Sequence, residues 1–494
     1  MALTRLQQLC IAGESVEGTA VTAATLFSAT NAKYLAIDPQ MTFEVETYQR
    51  DVARESFTPL SPVAGAILGN CSFSLELNSK TGTPALGSPP QWELPLVAAG
   101  FRKERLIRLT VSSITNGPIL HGQVLTSGGT ATVIGNYYSG ATSIWVSKGA
   151  DNTLGNATTM SAGAATIAGS IATAAISSVT TNAGFGYFPW SVPLYKMTVS
   201  ALSGAVNAND VIVGNVSGAI GIVYYGAALS GAVLYVRRLQ GTFTASDTAS
   251  SIYRDGSVLG FTANVSAFAQ ATDAANAYNI VPAVSIGLAK DGVRESLQSC
   301  RGSVSLSGNI GEPVLMNFNF SGVKTAAIDG GNIASVTYDD TVPPVLLGAT
   351  MTAGDAAITT LGGQKSFCAT SFSIDFANDV QYRRCMTAST GIDGIYINGR
   401  APTMTIDPEQ SPELDFDWMN NYFTSGNIRM DFTVGSVAGN KFRMQVLNSA
   451  LTGVGQGDRN GLIVRDMTFG LHSGNAASVS GDNEFVIIWD LAGT

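Results

Sequence analysis

Charge and catalytic side chains are scarce in this sequence. Asp, Glu, Lys and Arg make up only 13% of the 494 residues, and there are only two histidines, His121 and His472. Neither histidine has a carboxylate placed to suggest a proton relay, and the chain contains no G-x-S-x-G elbow and no P-loop. These absences argue against an enzyme, so we expect neither catalysis nor a cofactor.

Basic residues are the minority of the few charges. The chain has 27 Lys and Arg against 36 Asp and Glu, whereas a protein that binds nucleic acid by neutralising phosphates needs the opposite balance. The cysteines are odd in number and form no C-x-x-C pair, which indicates reduced, partly buried thiols and assembly in a cytoplasm. They are Cys10, Cys71, Cys300, Cys368 and Cys385.

Long apolar runs are missing as well. The N-terminal stretch MALTRLQQLCIAGES lacks the charged leader and apolar core of a signal peptide. Residues 161–179 look the most apolar, but they are rich in Ser, Thr and Gly and contain no Leu or Phe. Such a segment is a poor membrane span, so we expect no membrane association.

Small residues and alternating segments dominate what is present. The 54 glycines and the mean hydropathy of +0.20 are typical of many short strands joined by turns. In residues 41–47, MTFEVET, the apolar side chains fall on one face and Glu44 and Glu46 on the other, with the period of two of a half-buried strand. Residues 371–376, SFSIDF, alternate in the same way. The sequence therefore predicts a mainly β fold.

Similar segments recur in the same order along the chain, which indicates a duplication. Alternating strands recur at 41–54 and 370–383, second alternating strands at 71–77 and 403–409, and short helices at 91–101 and 413–423. Turns at Asp291-Gly292 and Asn460-Gly461 follow, but about 150 residues interrupt the first copy only.

We therefore predict two tandem β-sandwich or barrel domains, each with one short helix, and an inserted Gly-rich β module that decorates the surface. Within the insert, residues 127–146 resemble residues 217–236. The predicted boundaries are 1–112 with 278–344 for the first domain, 113–277 for the insert and 345–494 for the second domain.

An ordered set of motifs carries a family resemblance. The motifs are GESVEGTAV (13–21), ARES (53–56), GNCSFSLEL (69–77), LPLVAAGF (94–101) and the long segment from KDGVRES to FNFSG (290–322). Together they resemble the tail tube proteins, also called major tail proteins, of long-tailed bacteriophages. The resemblance covers residues 1–112 and 278–325 well and the C-terminal copy more loosely.

The resemblance implies a structural virion protein of the phage tail. Its relatives form stacked rings whose sheets join into an inner barrel through which DNA leaves the capsid, and a duplicated chain implies a trimeric ring of six near-equivalent domains. The implied partners are copies of the same chain, the tail terminator, distal tail and tape measure proteins, and DNA that passes without specific binding. Residues 1–35 and 345–365 are candidates for contacts with the next ring.

Two sets of charged residues are candidates for roles in such a tube. Acids that face a central bore would repel DNA phosphates, although an alternating sheet also explains them as its solvated face. These acids are Glu44, Glu46, Glu76, Asp375 and Asp407. Three arginines either pair with acids across subunits or cap strands within one domain, namely Arg383, Arg384 and Arg400.

The main alternative function is a tail fibre or a receptor- or sugar-binding tail protein. Aromatic residues of the insert are candidates for sugar contacts, although strand packing explains them equally well. They are Tyr137, Tyr138, Trp145, Tyr224 and Tyr225. The acid-rich segment 407–417 lacks the spacing of a Ca²⁺ loop, so a solvated loop or a helix start is the favoured interpretation.

Overall fold

The protein is mainly β. The computed structural model describes residues 7–14, 20–50, 52, 60–80, 89–115, 118–126, 130–148, 160–167, 170–189, 195–200, 202, 204, 206, 210–225, 232–240, 242–254, 257–270, 282–355, 358, 360, 363–412, 415–473 and 484–491. Three short helices lie within these ranges, namely α1 (Ala23–Leu26), α2 (Glu93–Ala98) and α3 (Trp418–Thr424).

Strands account for most of the remaining described residues. The first nine are β1 (Gln7–Gly13), β2 (Ile37–Tyr48), β3 (Val63–Glu76), β4 (Phe101–Thr115), β5 (Val124–Thr126), β6 (Thr130–Val133), β7 (Ser143–Lys148), β8 (Met160–Ile167) and β9 (Ser170–Pro189). The next ten are β10 (Tyr195–Ser200), β11 (Val211–Val213), β12 (Ile220–Tyr225), β13 (Ala232–Gln240), β14 (Ser250–Arg254), β15 (Ser257–Gln270), β16 (Val284–Lys290), β17 (Val293–Asn309), β18 (Leu315–Lys324) and β19 (Ile328–Asp329). The last twelve are β20 (Thr350–Asp355), β21 (Lys365–Ser366), β22 (Ser371–Asp375), β23 (Asn378–Arg384), β24 (Ile392–Arg400), β25 (Thr403–Ile406), β26 (Asn427–Val434), β27 (Lys441–Val454), β28 (Gly457–Arg459), β29 (Leu462–Val464), β30 (Met467–Leu471) and β31 (Phe485–Asp490).

The chain divides into two compact units. Unit 1 contains Met1–Phe101, Tyr278–Leu346 and Ser371–Met404, and unit 2 contains Arg102–Ala277, Leu347–Thr370 and Thr405–Thr494. These units group residues by spatial proximity, whereas the predicted domain boundaries group them by similarity between segments. The segment 371–404, assigned to the second domain by sequence, thus lies in unit 1. The duplication itself stays a prediction.

Unit 1 is built on an antiparallel sheet in the order β1-β16-β17-β18-β3-β2. The far end of β17 also pairs with β22, where Ser305 lies opposite Asp375. Side chains alternate along most of β18 and along the second halves of β3 and β17, so that one sheet face is apolar and buried there. At its centre the Phe73 ring stacks on Phe318 at 5.3 Å and on Phe320 at 5.8 Å. This apolar face is the core of unit 1.

Local sequence signals set the turns and the helices as predicted. Asp291 and Gly292 form the two-residue turn between β16 and β17, with Gly292 at φ +94°. Asn460 and Gly461 connect β28 to β29 with φ +53° and +86°, the left-handed pair that favours Asn-Gly in hairpins. The helices predicted at 91–101 and 413–423 are confirmed as α2 and α3, and Pro95 lies in the first turn of α2.

Unit 2 has β27 at its centre. This strand pairs with β26 along one edge and with β31 and β30 along the other, and β31 pairs in turn with β9. The strand β20 extends the ladder beyond β26. The indole Nε1 of Trp489, on β31, donates to the Gly439 carbonyl at 2.7 Å and closes the turn before β27.

Two ladders with the same strand order contain the predicted insert together with β4, most of which lies before the predicted boundary at residue 113. In the first, β4 pairs with β7, then β6, β5, β8 and β9 follow, and β9 returns to β4. In the second, β10, β13, β12, β11, β14 and β15 form a closed barrel in the corresponding sequence. The similar segments 127–146 and 217–236 span β6 and β7 in the first ladder and β12 and β13 in the second. We call residues 195–270 the second barrel.

Candidate functional site

One face of the unit 1 sheet is polar, and we call it the polar face. It is formed by side chains that alternate with the buried ones on five neighbouring strands. It consists of Gln40, Thr42, Glu44, Asn70, Ser72, Ser74, Glu76, Ser303, Ser305, Ser307, Asn309, Asn317, Asn319, Ser321, Ser371, Ser373 and Asp375. A shallow groove runs over part of this surface. The face is therefore rich in small hydroxyl and amide groups, with a few acids.

Hydrogen bonds between side chains order this surface. Ser74 Oγ donates to Asn317 Oδ1 at 2.7 Å, and Asn317 Nδ2 donates to Ser307 Oγ at 3.1 Å. Ser321 Oγ donates to Asn70 Oδ1 at 3.0 Å. These bonds run across the strands and hold the amides in place, so the face is a fixed polar surface rather than a set of independent side chains.

The hairpin of β23 and β24 covers one end of the polar face. Asn378 N donates to Ser303 Oγ at 3.1 Å, and the Tyr382 hydroxyl lies 3.3 Å from Asn70 Oδ1. Beneath the hairpin, Arg301 is fully buried and donates from Nη1 to the Ile395 carbonyl. Arg301 lies opposite Ser321 in the sheet, so the cation of this face is hidden beneath the hairpin.

The predicted acids are distributed between both units. Glu44, Glu76 and Asp375 share the polar face, and the Asp375 carboxylate also accepts from Ala377 N at 2.9 Å. Glu46 lies on the same strand as Glu44, and its carboxylate accepts hydrogen bonds from Arg384.

The predicted arginines have partners within unit 1. Arg384 contacts the Glu46 carboxylate with both terminal nitrogens, at 2.7 and 2.5 Å, and this hydrogen bonding lowers the pKa of Glu46. Arg383 lies 2.9 Å from Asp393 on the same hairpin. Arg400 lies opposite Asn378 in the ladder of β23 and β24. Contacts of these arginines with other subunits stay a prediction.

The fifth predicted acid, Asp407, lies in unit 2. Its carboxylate accepts from Thr370 N at 2.9 Å and from Arg459 Nη1 at 3.2 Å. Arg459 Nη2 is also 3.5 Å from Glu409. These contacts hold the hairpin of β28 and β29 against the neighbouring chain segments, so Asp407 has a local structural partner that its sequence pattern did not reveal.

The other carboxylates of the acid-rich segment also have partners. The Asp417 side chain caps α3 by accepting from Asn420 N at 2.9 Å, and Asp415 lies 4.0 Å from Lys365. Glu413 lies outside the described residues. Within the described part of the chain, no cluster of three or more His, Cys, Asp or Glu is arranged to hold a metal ion.

The aromatic residues proposed for sugar contacts belong to the core where they are described. Tyr137, Tyr138 and Trp145 are between 1% and 4% exposed, and the Tyr137 hydroxyl donates to the Ile134 carbonyl at 2.5 Å. They present no platform on which a sugar could stack, so strand packing accounts for them. The side chains of Tyr224 and the following Tyr225 lie outside the described part of the structure.

The two histidines lie in different settings. His121 is buried, and its Nδ1 accepts a hydrogen bond from Gly135 N at 3.1 Å. This bond fixes the turn after β6, which is a structural role. Burial lowers the pKa of His472.

The two edges of the unit 1 sheet differ. Beside β1, Ile11 N donates to the Asn31 carbonyl at 3.0 Å, and Leu9 forms a bridge with Tyr34. Beyond β2, no described strand continues the ladder, because β2 pairs with β3 alone. The end of this open strand exposes Tyr48 by 72%. Within the described ranges, one edge of the sheet is thus covered and the other has no paired strand, as an edge that accepts a further strand would.

A comparison with protein families decides what kind of protein carries this surface. The family model of the phage tail tube protein matches residues 4–483. The chain belongs to the phage tail tube protein family. This tail tube protein is therefore a structural component of the virion tail that assembles with its own copies into a tube. No curated protein matches the tail tube protein in a sequence search. Among the described residues, its helices are all too short or too polar to cross a bilayer.

Proposed function

We propose that the polar face of unit 1 lines the lumen of the tail tube and lets DNA pass without binding it. The observation that carries this proposal is the chemistry of the face. It has Glu44, Glu76 and Asp375, while its buried cation, Arg301, is covered by a hairpin. DNA binds proteins chiefly by releasing counterions when Lys or Arg neutralise its phosphates. The described residues that make up the polar face include acids and no exposed base, so this face gains nothing by that route.

The free edge of β2 supports the assembly part of the proposal. An open edge exposes unpaired backbone groups, and a ring removes such edges by pairing each with a neighbouring copy. We propose trimeric rings of six near-equivalent domains, stacked into a tube. The ends of that tube would meet tail terminator and distal tail proteins, and its lumen would hold the tape measure protein before DNA.

Electron microscopy of the purified protein tests the ring and its symmetry. We expect hollow tubes or rings with three-fold or pseudo-six-fold end views. Particles that stay monomeric at elevated protein concentration, and show no rings, would contradict the assembly.

Site-specific labelling tests which face lines the lumen. A cysteine at Ser305 on the polar face is compared with one at Thr248, which is exposed on the second barrel, in a chain with C368S and C385S. The probes are a small maleimide and a maleimide on a polymer too large to enter the tube. In tubes, we expect S305C to react with the small probe only, and T248C with both. Equal reaction of S305C with the large probe would place the polar face outside the lumen.

A further inference from the structure

The hairpin of β23 and β24 brings arginines to the border of the polar face. It lies over one end of that face through the contacts of Asn378 and Tyr382 described above. Arg383 and Arg384 project from it and are 47% and 58% exposed. If the polar face lines the lumen, these two cations lie beside the path of the DNA.

Each of the two arginines has a carboxylate as its immediate counterion. Both carboxylate oxygens of Glu46 accept from Arg384, at 2.7 and 2.5 Å, although the two residues are 338 positions apart in sequence. Arg383 lies 2.9 Å from Asp393, which is 44% exposed. Arg301, by contrast, is buried beneath the hairpin. The charges of Arg383 and Arg384 are thus each neutralised by one acid.

Stability alone does not account for these exposed pairs. An ion pair between solvent-exposed side chains contributes only about 0 to 1 kcal/mol to folding, because water screens it and two long side chains lose freedom. An arginine without a counterion, by contrast, presents a planar fork of donors that fits a phosphate. The consequence of removing the acid is therefore larger for DNA binding than for folding.

We propose that Glu46 and Asp393 act as built-in counterions that mask Arg384 and Arg383 from DNA. The bonds between Arg384 and Glu46 also join β23 to β2, beside the hairpin that covers Arg301. The acids are then needed to keep the same arginines from retaining the DNA backbone. This proposal rests on the proposed function, because it assumes that DNA passes along the polar face.

The test compares DNA binding by assembled tubes that carry E46Q, D393N, or E46Q together with R384Q. The probe is a short fluorescent DNA duplex, titrated at several salt concentrations. We expect both single variants to bind more tightly at low salt than the unaltered protein. The slope of log affinity against log salt should steepen by about 0.9 for each arginine that contacts a phosphate. Addition of R384Q should return E46Q to the original weak binding.

A lysine on the open polar face serves as the positive control. S72K places a cation opposite Asn319 and Gln40, with no acid across either ladder, so its tubes should bind the duplex if DNA reaches this face. Binding by S72K tubes without any change in E46Q and D393N tubes would overturn the masking proposal and leave the proposed function intact. Weak binding by all three would instead overturn the proposed function. D393N, whose partner lies on its own hairpin, gives the same comparison if E46Q does not assemble.

Discussion

Arg443 on β27 forms an ion pair with the carboxylate of Asp431 on the neighbouring strand β26. Its Nε lies 3.0 and 2.9 Å from the two carboxylate oxygens. Gln445 Nε2 donates to the same carboxylate at 2.7 Å, and Gln445 Oε1 accepts from Asn136 N at 3.0 Å. One acid thereby connects the central strands of unit 2 to the turn after β6 in the first ladder of the insert.

Replacement of Arg443 by Met should destabilise unit 2. The pair is mostly buried, with Arg443 24% and Asp431 14% exposed, and removal of one partner leaves a carboxylate with too few donors. We expect a loss of about 3 kcal/mol in the free energy of unfolding, measured with urea. The double variant R443M with D431L should recover much of this loss. A single variant as stable as the original protein would show that the pair contributes little.

Adjacent residues of β18 provide a matched test of the two sheet faces. Phe318 is 2% exposed and stacks on Phe73, so F318A should cost about 3–5 kcal/mol of stability. Asn317 points to the polar face, where its hydrogen bonds are partly exposed, so N317A should cost about 1 kcal/mol or less. Thermal unfolding of both variants measures the difference. Equal losses would contradict the assignment of the faces.

Sequence patterns predicted the local features of the fold better than its long-range contacts. Alternation placed Phe372 and Ile374 on the buried face of β22, and Asp291 with Gly292 in a turn, because these depend on neighbouring residues only. The bond between Arg384 and Glu46 spans 338 positions, and no local pattern specifies it. The burial of Arg301 beneath the hairpin could not be predicted from sequence either. Arg301 follows a bulge in β17, and its neighbours in the sequence are those of an ordinary strand residue.

Cys385 should be the most reactive thiol of the protein. All five cysteines are free, and burial raises the pKa of Cys10 and Cys71 to about 12. Hydrogen bonding by the Thr387 side chain and backbone lowers the pKa of Cys385, which increases its thiolate fraction. We expect one fast phase of labelling by a thiol reagent near neutral pH, lost in C385S. A fast phase that persists in C385S would show that another cysteine is the most reactive thiol.

Asp247 makes the second barrel sensitive to acid. Burial of its carboxyl opposes ionisation, but hydrogen bonds from Ser217, Thr244 and Val216 outweigh burial and lower its pKa. A depressed pKa stabilises the fold above the unfolded-state value of about 3.9 and loses that effect as the pH falls through the folded value.

The variant D247N tests the contribution of the hydrogen bonds that the Asp247 carboxylate accepts. It should lose about 1–3 kcal/mol at neutral pH, because an amide cannot replace the ionised acceptor, and its stability should depend less on pH below about 4. T248A, at an exposed neighbouring position, serves as the control and should resemble the original protein in thermal unfolding. A steep loss of stability in acid that is unchanged in D247N would assign the acid sensitivity to another group.

The second barrel should be removable without loss of the remaining fold. Its first and last strands are paired, with Tyr195 opposite Gln270, so the two chain ends enter and leave side by side, about 5 Å apart. In a closed barrel every strand pairs with strands of the same barrel. Its removal therefore leaves no strand elsewhere in the chain without its partner. The first ladder differs, because its β9 pairs with β31. We expect a variant in which a short Gly-Ser linker replaces residues 195–270 to keep its β content by circular dichroism and to form tubes.

The isolated segment 195–270 is the matched control for that deletion, and we expect it to fold alone. Its own apolar core includes Met197, Val236 and Ile252, all fully buried. Deletion of the strand β9 should instead destabilise unit 2, because β31 would keep its pairing with β27 but lose its pairing with β9. An insoluble protein after removal of 195–270, together with an unfolded isolated segment, would show that the barrel depends on the rest of unit 2. Soluble protein that folds but forms no tubes would show that the barrel takes part in assembly, since a module that only decorates the surface leaves the contacts between subunits unchanged.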